Sequence, residues 1–215
     1  MPARNREMTI TEYSPLSPLE LDALTELVNI GVSRAANALR DMAGEQVVLT
    51  VPSLVILARA QAAALLEARG WDRLVAVRQI FAGGFAGSAL LIFPETNSLE
   101  LVRAVSRDEL SLEDMIELEQ EALAEIGNII LNACMATIAN LLELSLTMSL
   151  PEILRGRGLE FFSGLPGGGD GVLFVRINFS LKGREVSGYV AIVMDFVSLE
   201  SLQSLLAAFI RRVAI

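Results

Sequence analysis

One polar spelling, written twice, constrains this 215-residue chain more than any other feature. Asp22, Glu26, Asn29 and Pro52 are separated by three, two and twenty-two residues, and Glu121, Glu125, Asn128 and Pro151 repeat those intervals 99 residues later. A helix turns about 100° per residue, so the first three members of each set fall in a narrow wedge of one helical face. Each copy therefore predicts a helix that presents a small acid-amide cluster in one direction, followed by a strand that reaches a proline.

The text between the motifs repeats as well. Ser17-Pro18-Leu19-Glu20 supplies an N-cap, a proline at the first helical position and a capping-box acid, which predicts a helix to about Asp41. Val47 to Val51 has the β-branched content of a strand, closed by Pro52, and an alanine-rich helix is expected over about Ser53 to Arg69. Leu74 to Phe81 and Phe85 to Phe93 read as a hairpin across Gly83-Gly84, with a short helix starting at Pro94-Glu95. In the second copy, Ser111 opens a helix to about Leu142, Leu144 to Leu150 is a strand ended by Pro151, and Gly171 to Leu181 pairs with Glu185 to Phe196 across Lys182-Gly183. A terminal helix spans about Ser198 to Arg212. Aligning Gly87 with Gly188 gives an offset of 101, which places a two-residue insertion between the copies, in the glycine-rich loop Gly164 to Gly171.

Three strands and a few helices leave a sheet edge exposed, so neither copy is expected to stand alone. Two copies joined edge to edge give an α+β fold with pseudo-two-fold symmetry: a six-stranded antiparallel sheet with the long motif-bearing helices packed across it. Residues 1–16 read as a tail, and 17–215 as a single domain of two repeats, about 17–105 and 111–215.

Composition excludes several function classes. A hydrophobic share of 53% supports a real core, and a net charge of −9 leaves no electrostatic footprint for nucleic acid or an anionic membrane surface. The apolar run Ala124 to Leu142 contains Glu125, Asn128, Asn132 and Asn140, which argues against a membrane-spanning helix. A single cysteine and the lack of a signal peptide point to the cytoplasm. The chain has no histidine, which excludes Ser-His-Asp triads and disfavours zinc chemistry, so no metal or cofactor is expected. Cys134, among Ala133, Met135 and Ala136, reads as a small core residue, and the 164–171 run lacks the lysine and Ser/Thr of a P-loop.

On the first helix, Asp22, Glu26, Asn29 and Ser33 form a thin polar stripe among leucines, valines and alanines; Glu121, Glu125, Asn128 and Asn132 do the same on the second. The bland reading is the wet side of an amphipathic helix. Asparagine weighs against it, because its side chain competes for backbone hydrogen bonds and lysine or glutamate would solvate such a face better. Gly31 and Gly127 beside the asparagines suggest a surface that another molecule approaches closely. Asp22 and Glu121 are equally well explained by the dipole of a helix start, and Pro52 and Pro151 are read as structural.

The pattern Asp/Ser-x3-Glu-x2-Asn-x22-Pro, with Glu26-Leu27-Val28-Asn29-Ile30-Gly31 and Glu125-Ile126-Gly127-Asn128-Ile129-Ile130 around it, resembles the signature of the CheC/CheX/FliY chemotaxis phosphatases over about Leu19 to Phe209. Two intact motifs in a short chain are most like the CheC type; the CheX type keeps one, and the FliY type carries a further C-terminal switch domain. Ser33 departs from the glycine often found there, and Arg34 follows it. The resemblance implies hydrolysis of the aspartyl phosphate of a CheY-type response regulator whose own Mg is already in place. It implies that Glu26 and Glu125 dock on the regulator's lysine, that Asn29 and Asn128 orient the attacking water, and that Asp22, Glu121, Pro52 and Pro151 support them. A hundredfold acceleration is only ~2.7 kcal/mol, on the scale of one well-placed hydrogen bond to water plus docking. The alternatives are a non-catalytic scaffold that binds a response regulator or CheD, and a structural component of the flagellar switch. A monomer is expected.

Overall fold

A computed structural model describes residues 15–44, 46–105, 111–163, 171–181 and 184–213. The first long helix, α1 (Pro18–Ala43), starts as its sequence dictates: the Ser17 hydroxyl accepts from the Glu20 N–H, and the Glu20 carboxylate accepts from the Ser17 N–H at 2.8 Å. It ends at Gly44, whose φ of 73° is the left-handed conformation that releases the chain from a helix. The second, α4 (Leu112–Leu141), opens with the same box made by Ser111 and Asp114. Over Leu118–Leu141 it is apolar enough to cross a membrane by length and composition, but 56% of that window is buried within the protein, as befits a core helix.

Among the described residues, seven strands form one antiparallel sheet: β1 (Val47–Ala58), β2 (Leu74–Gly83), β3 (Gly87–Pro94), β4 (Leu146–Met148), β5 (Glu152–Gly156), β6 (Gly171–Leu181) and β7 (Arg184–Met194). Their order is β1-β6-β7-β3-β2, with β4 and β5 both paired to β2. The expected six strands thus become seven, because the last place is shared by two short strands with Ser149, Leu150 and Pro151 between them. At the centre Leu91 pairs with Val190, residues separated by the same 99 positions as the motifs. Phe81 faces Gly87, and Phe179, level with Phe81, faces Val186. Gly87 is therefore level with Val186, and the alignment of Gly87 with Gly188 is corrected.

Pro52 does not end its strand as expected, whereas the strand before Pro151 does stop short of it, at Met148. β1 runs through Pro52 to Ala58, and the helix that follows, α2 (Arg59–Glu67), begins six residues later than the predicted Ser53. The reason is a bulge. Thr50 pairs with Asn178 and Ser53 with Arg176, so two residues, Val51 and Pro52, oppose one, Ile177. The missing proline N–H costs nothing at a bulge on an edge strand. The second copy repeats the extra residue, since Met148 pairs with Phe81 and Glu152 with Arg78.

Alternate side chains of the sheet feed two cores. Leu49, Val75, Val77, Leu91, Val175 and Ile192 pack with Leu24, Leu27, Val28, Leu123, Ile126 and Ile130 of the long helices. The opposite face packs Leu74, Leu90, Phe174 and Ala191 against α2 and α5 (Gly158–Phe162). Two further helices among the described residues are α3 (Ser98–Val105), entered through a 3-10 turn at Glu95–Asn97, and α6 (Phe196–Val213). Leu16, assigned to the tail from sequence, is buried at the end of the first core. The remaining tail, the turn at 182–183 and most of the 164–171 loop lie outside the described residues. Both motif helices therefore lie on one side of one sheet.

Candidate functional site

The polar stripes face outward. Glu26 and Glu125 are exposed, as are Asp22 and Glu121, and none of the four has an ion-pair or hydrogen-bond partner among the described residues. Asn29 and Asn128 are half-buried at the foot of each stripe. Leu27 and Val28 on one helix, and Ile126 on the other, are buried within a few per cent of completely, which fixes the azimuth of the neighbouring acid and amide.

Sequence reasoning assigned Gly31 and Gly127 to an approachable surface; both are instead buried in internal contacts. A Cβ on Gly31 would lie 2.7 Å from Cα of Cys134, so this glycine lets α1 cross α4 at backbone contact. A Cβ on Gly127 would overlap the Val77 side chain, so this glycine lets α4 press onto β2. They set the depth at which each helix, and hence each asparagine, is held.

The two asparagines have different surroundings. Asn128 Oδ1 accepts from Gln79 Nε2 at 3.1 Å and from Asn132 Nδ2 at 2.6 Å. Gln79 Nε2 also donates to the Ser149 carbonyl at 2.8 Å, while the Ser149 hydroxyl accepts from the Ile80 N–H at 2.9 Å. The break before Pro151 is thereby tied to the second motif through Gln79. In the first copy no side-chain partner holds the Asn29 amide among the described residues; Ser33, at the place of Asn132, spends its hydroxyl on the Asn29 backbone carbonyl at 2.8 Å.

Gln79 was missed from sequence, although a signal existed. It follows Val75 and Val77 and precedes Phe81 on the inward register of β2, where a polar residue is out of pattern. Cys134 is a core residue as read; burial pushes its thiol up to about 12, so it stays protonated at neutral pH and offers no nucleophile. No cluster of three or more metal-ligating side chains occurs among the described residues.

The fold and its paired outward motifs define a duplicated α+β unit that presents two acid-amide surfaces. Residues 19–56, which carry the whole first motif, match the CheC-like family. Among curated relatives, the CheY-P phosphatase CheC of Bacillus subtilis is 28% identical over 147 residues, covering 66% of this chain and 68% of that protein. The flagellar motor switch phosphatase FliY of the same organism is 23% identical over 184 residues, covering 84% of this chain and 47% of that protein, so the chain spans about half that relative's length. The crystal structure of Thermotoga maritima FliY superposes with a TM-score of 0.70 at 17% identity, covering 91% of this chain and all of that one. A FliM middle domain from H. pylori gives 0.57 at 12% identity, covering 88% and 99%. The first repeat of the chain is thus similar to the CheC-like family, and the CheC and FliY relatives extend that similarity at lower identity over most of the chain.

Proposed function

We propose that this protein is a phosphatase of a phosphorylated CheY-type response regulator in chemotaxis signalling, working through Glu26-Asn29 and Glu125-Asn128. One observation carries the reading: both carboxylates are exposed and unpaired while both amides sit at the foot of the same stripe, on two helices in one layer. An exposed carboxylate on the polar stripe of its helix is free to meet a cation on a docking protein, and the amide three residues on then lies where a water would be held. Leu150, 88% accessible and next to Ser149, whose carbonyl holds Gln79, adds an exposed apolar residue at the second site suited to a protein surface.

The chemistry asked of the chain is small. The acyl phosphate is activated by the regulator's own metal and lysine, so the helper supplies one oriented water and the docking register. The carboxylates hold the partner and the amides hold the water; no covalent intermediate on this chain is involved. Family naming of CheC and FliY as phosphatases supports this at the level of the family.

The test is the decay of a CheY-type regulator phosphorylated by a small-molecule phosphodonor, with and without the protein. Wild type should shorten the lifetime about a hundredfold, worth ~2.7 kcal/mol, and Asn29→Ala/Asn128→Ala should return it to the unassisted value. Equal decay with wild type and the double variant, at concentrations where both bind, would leave only a docking role.

A further inference from the structure

We infer that Gln79 is a positioning residue of the second site, fixing Asn128 so that its two N–H donors, and not its carbonyl, face the substrate side. The inference rests on the function proposed above for what Asn128 does, and on the structure for what holds it.

The orientation follows from one group that cannot be reversed. The Ser149 backbone carbonyl is an acceptor only, so the Gln79 amide must turn its Nε2 toward it at 2.8 Å. The same Nε2 lies 3.1 Å from Asn128, which must then present Oδ1, and the Asn132 Nδ2 donates to that same oxygen at 2.6 Å. With Oδ1 taken twice, the remaining hydrogen-bonding capacity of Asn128 is its Nδ2 group, which has no partner among the described residues. A water that accepts one N–H keeps a lone pair for attack, the arrangement an in-line hydrolysis needs.

A second observation is that Gln79 sits in its place at a stability cost. It is 1% exposed, and its Oε1 is buried with no hydrogen-bond partner, a penalty an apolar residue would avoid. The other repeat takes the apolar option. Val77-Arg78-Gln79-Ile80-Phe81 and Val175-Arg176-Ile177-Asn178-Phe179 occupy matching places opposite the Pro151 break and the Pro52 bulge, and Ile177 stands where Gln79 does, 3% exposed in the core. Gln79 itself touches no substrate; it acts through Asn128.

The experiment is Gln79→Ile, which copies the residue of the other repeat, made in an Asn29→Ala background so that only the second site turns over. We expect kcat for the phosphorylated regulator to fall about tenfold or more with KM unchanged, since docking through Glu125 is untouched and only a near-attack geometry is lost. Thermal stability should hold or rise, which separates the loss from unfolding. Added to Asn128→Ala, the same change should have no further effect on rate. Independently of activity, the Asn128 side-chain amide should lose order in the 15N relaxation of Gln79→Ile. Full kcat in the Asn29→Ala, Gln79→Ile protein, or an equal rate loss in the Asn128→Ala background, would overturn the inference while leaving the phosphatase intact. If wild type does not turn over the phosphoregulator, the proposed function falls, and the amide relaxation alone decides: an Asn128 side chain equally ordered without Gln79 overturns the inference.

Discussion

The two motif helices carry the same glutamate-asparagine pair at the same spacing, each preceded by an acid, but they stand on different foundations. Beneath α4, Gln79, Asn132 and the Ser149 carbonyl form a hydrogen-bonded chain that ends on Asn128. Beneath α1, the equivalent strand position is Ile177 and the equivalent helix position is Ser33, whose hydroxyl is satisfied by backbone. A duplicated motif thus fixes which residues face outward, while the supporting residues decide how sharply each is aimed. Preorganisation lowers the cost of reaching a reactive geometry, so the two sites should differ in rate although they share the Glu-Asn pair.

The largest test of this comparison is the pair of single substitutions. Asn128→Ala should remove most of the assisted dephosphorylation and Asn29→Ala the smaller part, a difference of about threefold or more in kcat if one ordered amide is worth ~0.7 kcal/mol or above. Equal losses would show that the hydrogen-bond chain under α4 is without catalytic consequence.

Next in size are the two glycines, which probe how each helix is seated. Gly31→Ala drives a methyl against the Cys134 backbone, which has no rotamer to yield, and should cost ~1–3 kcal/mol by thermal or urea unfolding. Gly127→Ala meets the Val77 side chain, and its cost should be of the same order, with the additional effect of lifting Asn128 off the sheet and lowering kcat. A rate loss confined to Gly127→Ala would sharpen the contrast between the sites; unaltered stability in both would remove the seating argument.

The smallest effect concerns the helix starts. Partial burial raises the Glu20 carboxyl, but the Ser17 backbone N–H, its hydroxyl and Gln203 together hold it below its ordinary value. A carboxyl lowered in the folded state stabilises above its unfolded pKa, and that contribution disappears as pH falls through the folded value. Glu20→Gln should therefore cost a few tenths of a kcal/mol, about 0.3, at neutral pH and nothing in strong acid, because the group is largely screened by solvent. Unfolding curves at the two pH values check the sign, and a larger loss in acid would contradict it.

Much of this architecture is legible in the residues. The capping boxes Ser17/Glu20 and Ser111/Asp114, the two long helices and the β2-β3 hairpin are written locally, by turn chemistry and by side-chain period. The stripe residues Glu26, Asn29, Glu125 and Asn128 are equally local, since apolar neighbours on the same helix dictate which side remains wet. What misled was Pro52. Read one residue at a time, both prolines are strand breakers, and Pro151 does lie in a break between β4 and β5; Pro52 instead sits beside an extra residue inside an edge strand, where a missing donor is harmless. Likewise, small residues beside an asparagine suggested open surface, and only the packed helices reveal that Gly31 and Gly127 face inward.

By itself, then, the amino-acid order determined two copies of a helix-strand unit, their α+β class and the four polar residues each helix turns outward, because helical and strand periodicities and caps act over a few residues. Tertiary structure alone decided that the last strand splits in two, that the glycines seat the helices, and that Gln79 reaches Asn128 across 49 positions of chain while Ile177 occupies its place in the other copy. The physical reason is that a hydrogen bond or a backbone contact between distant segments has no periodic trace in the sequence. It exists only once the sheet has brought the segments within about 3 Å of each other.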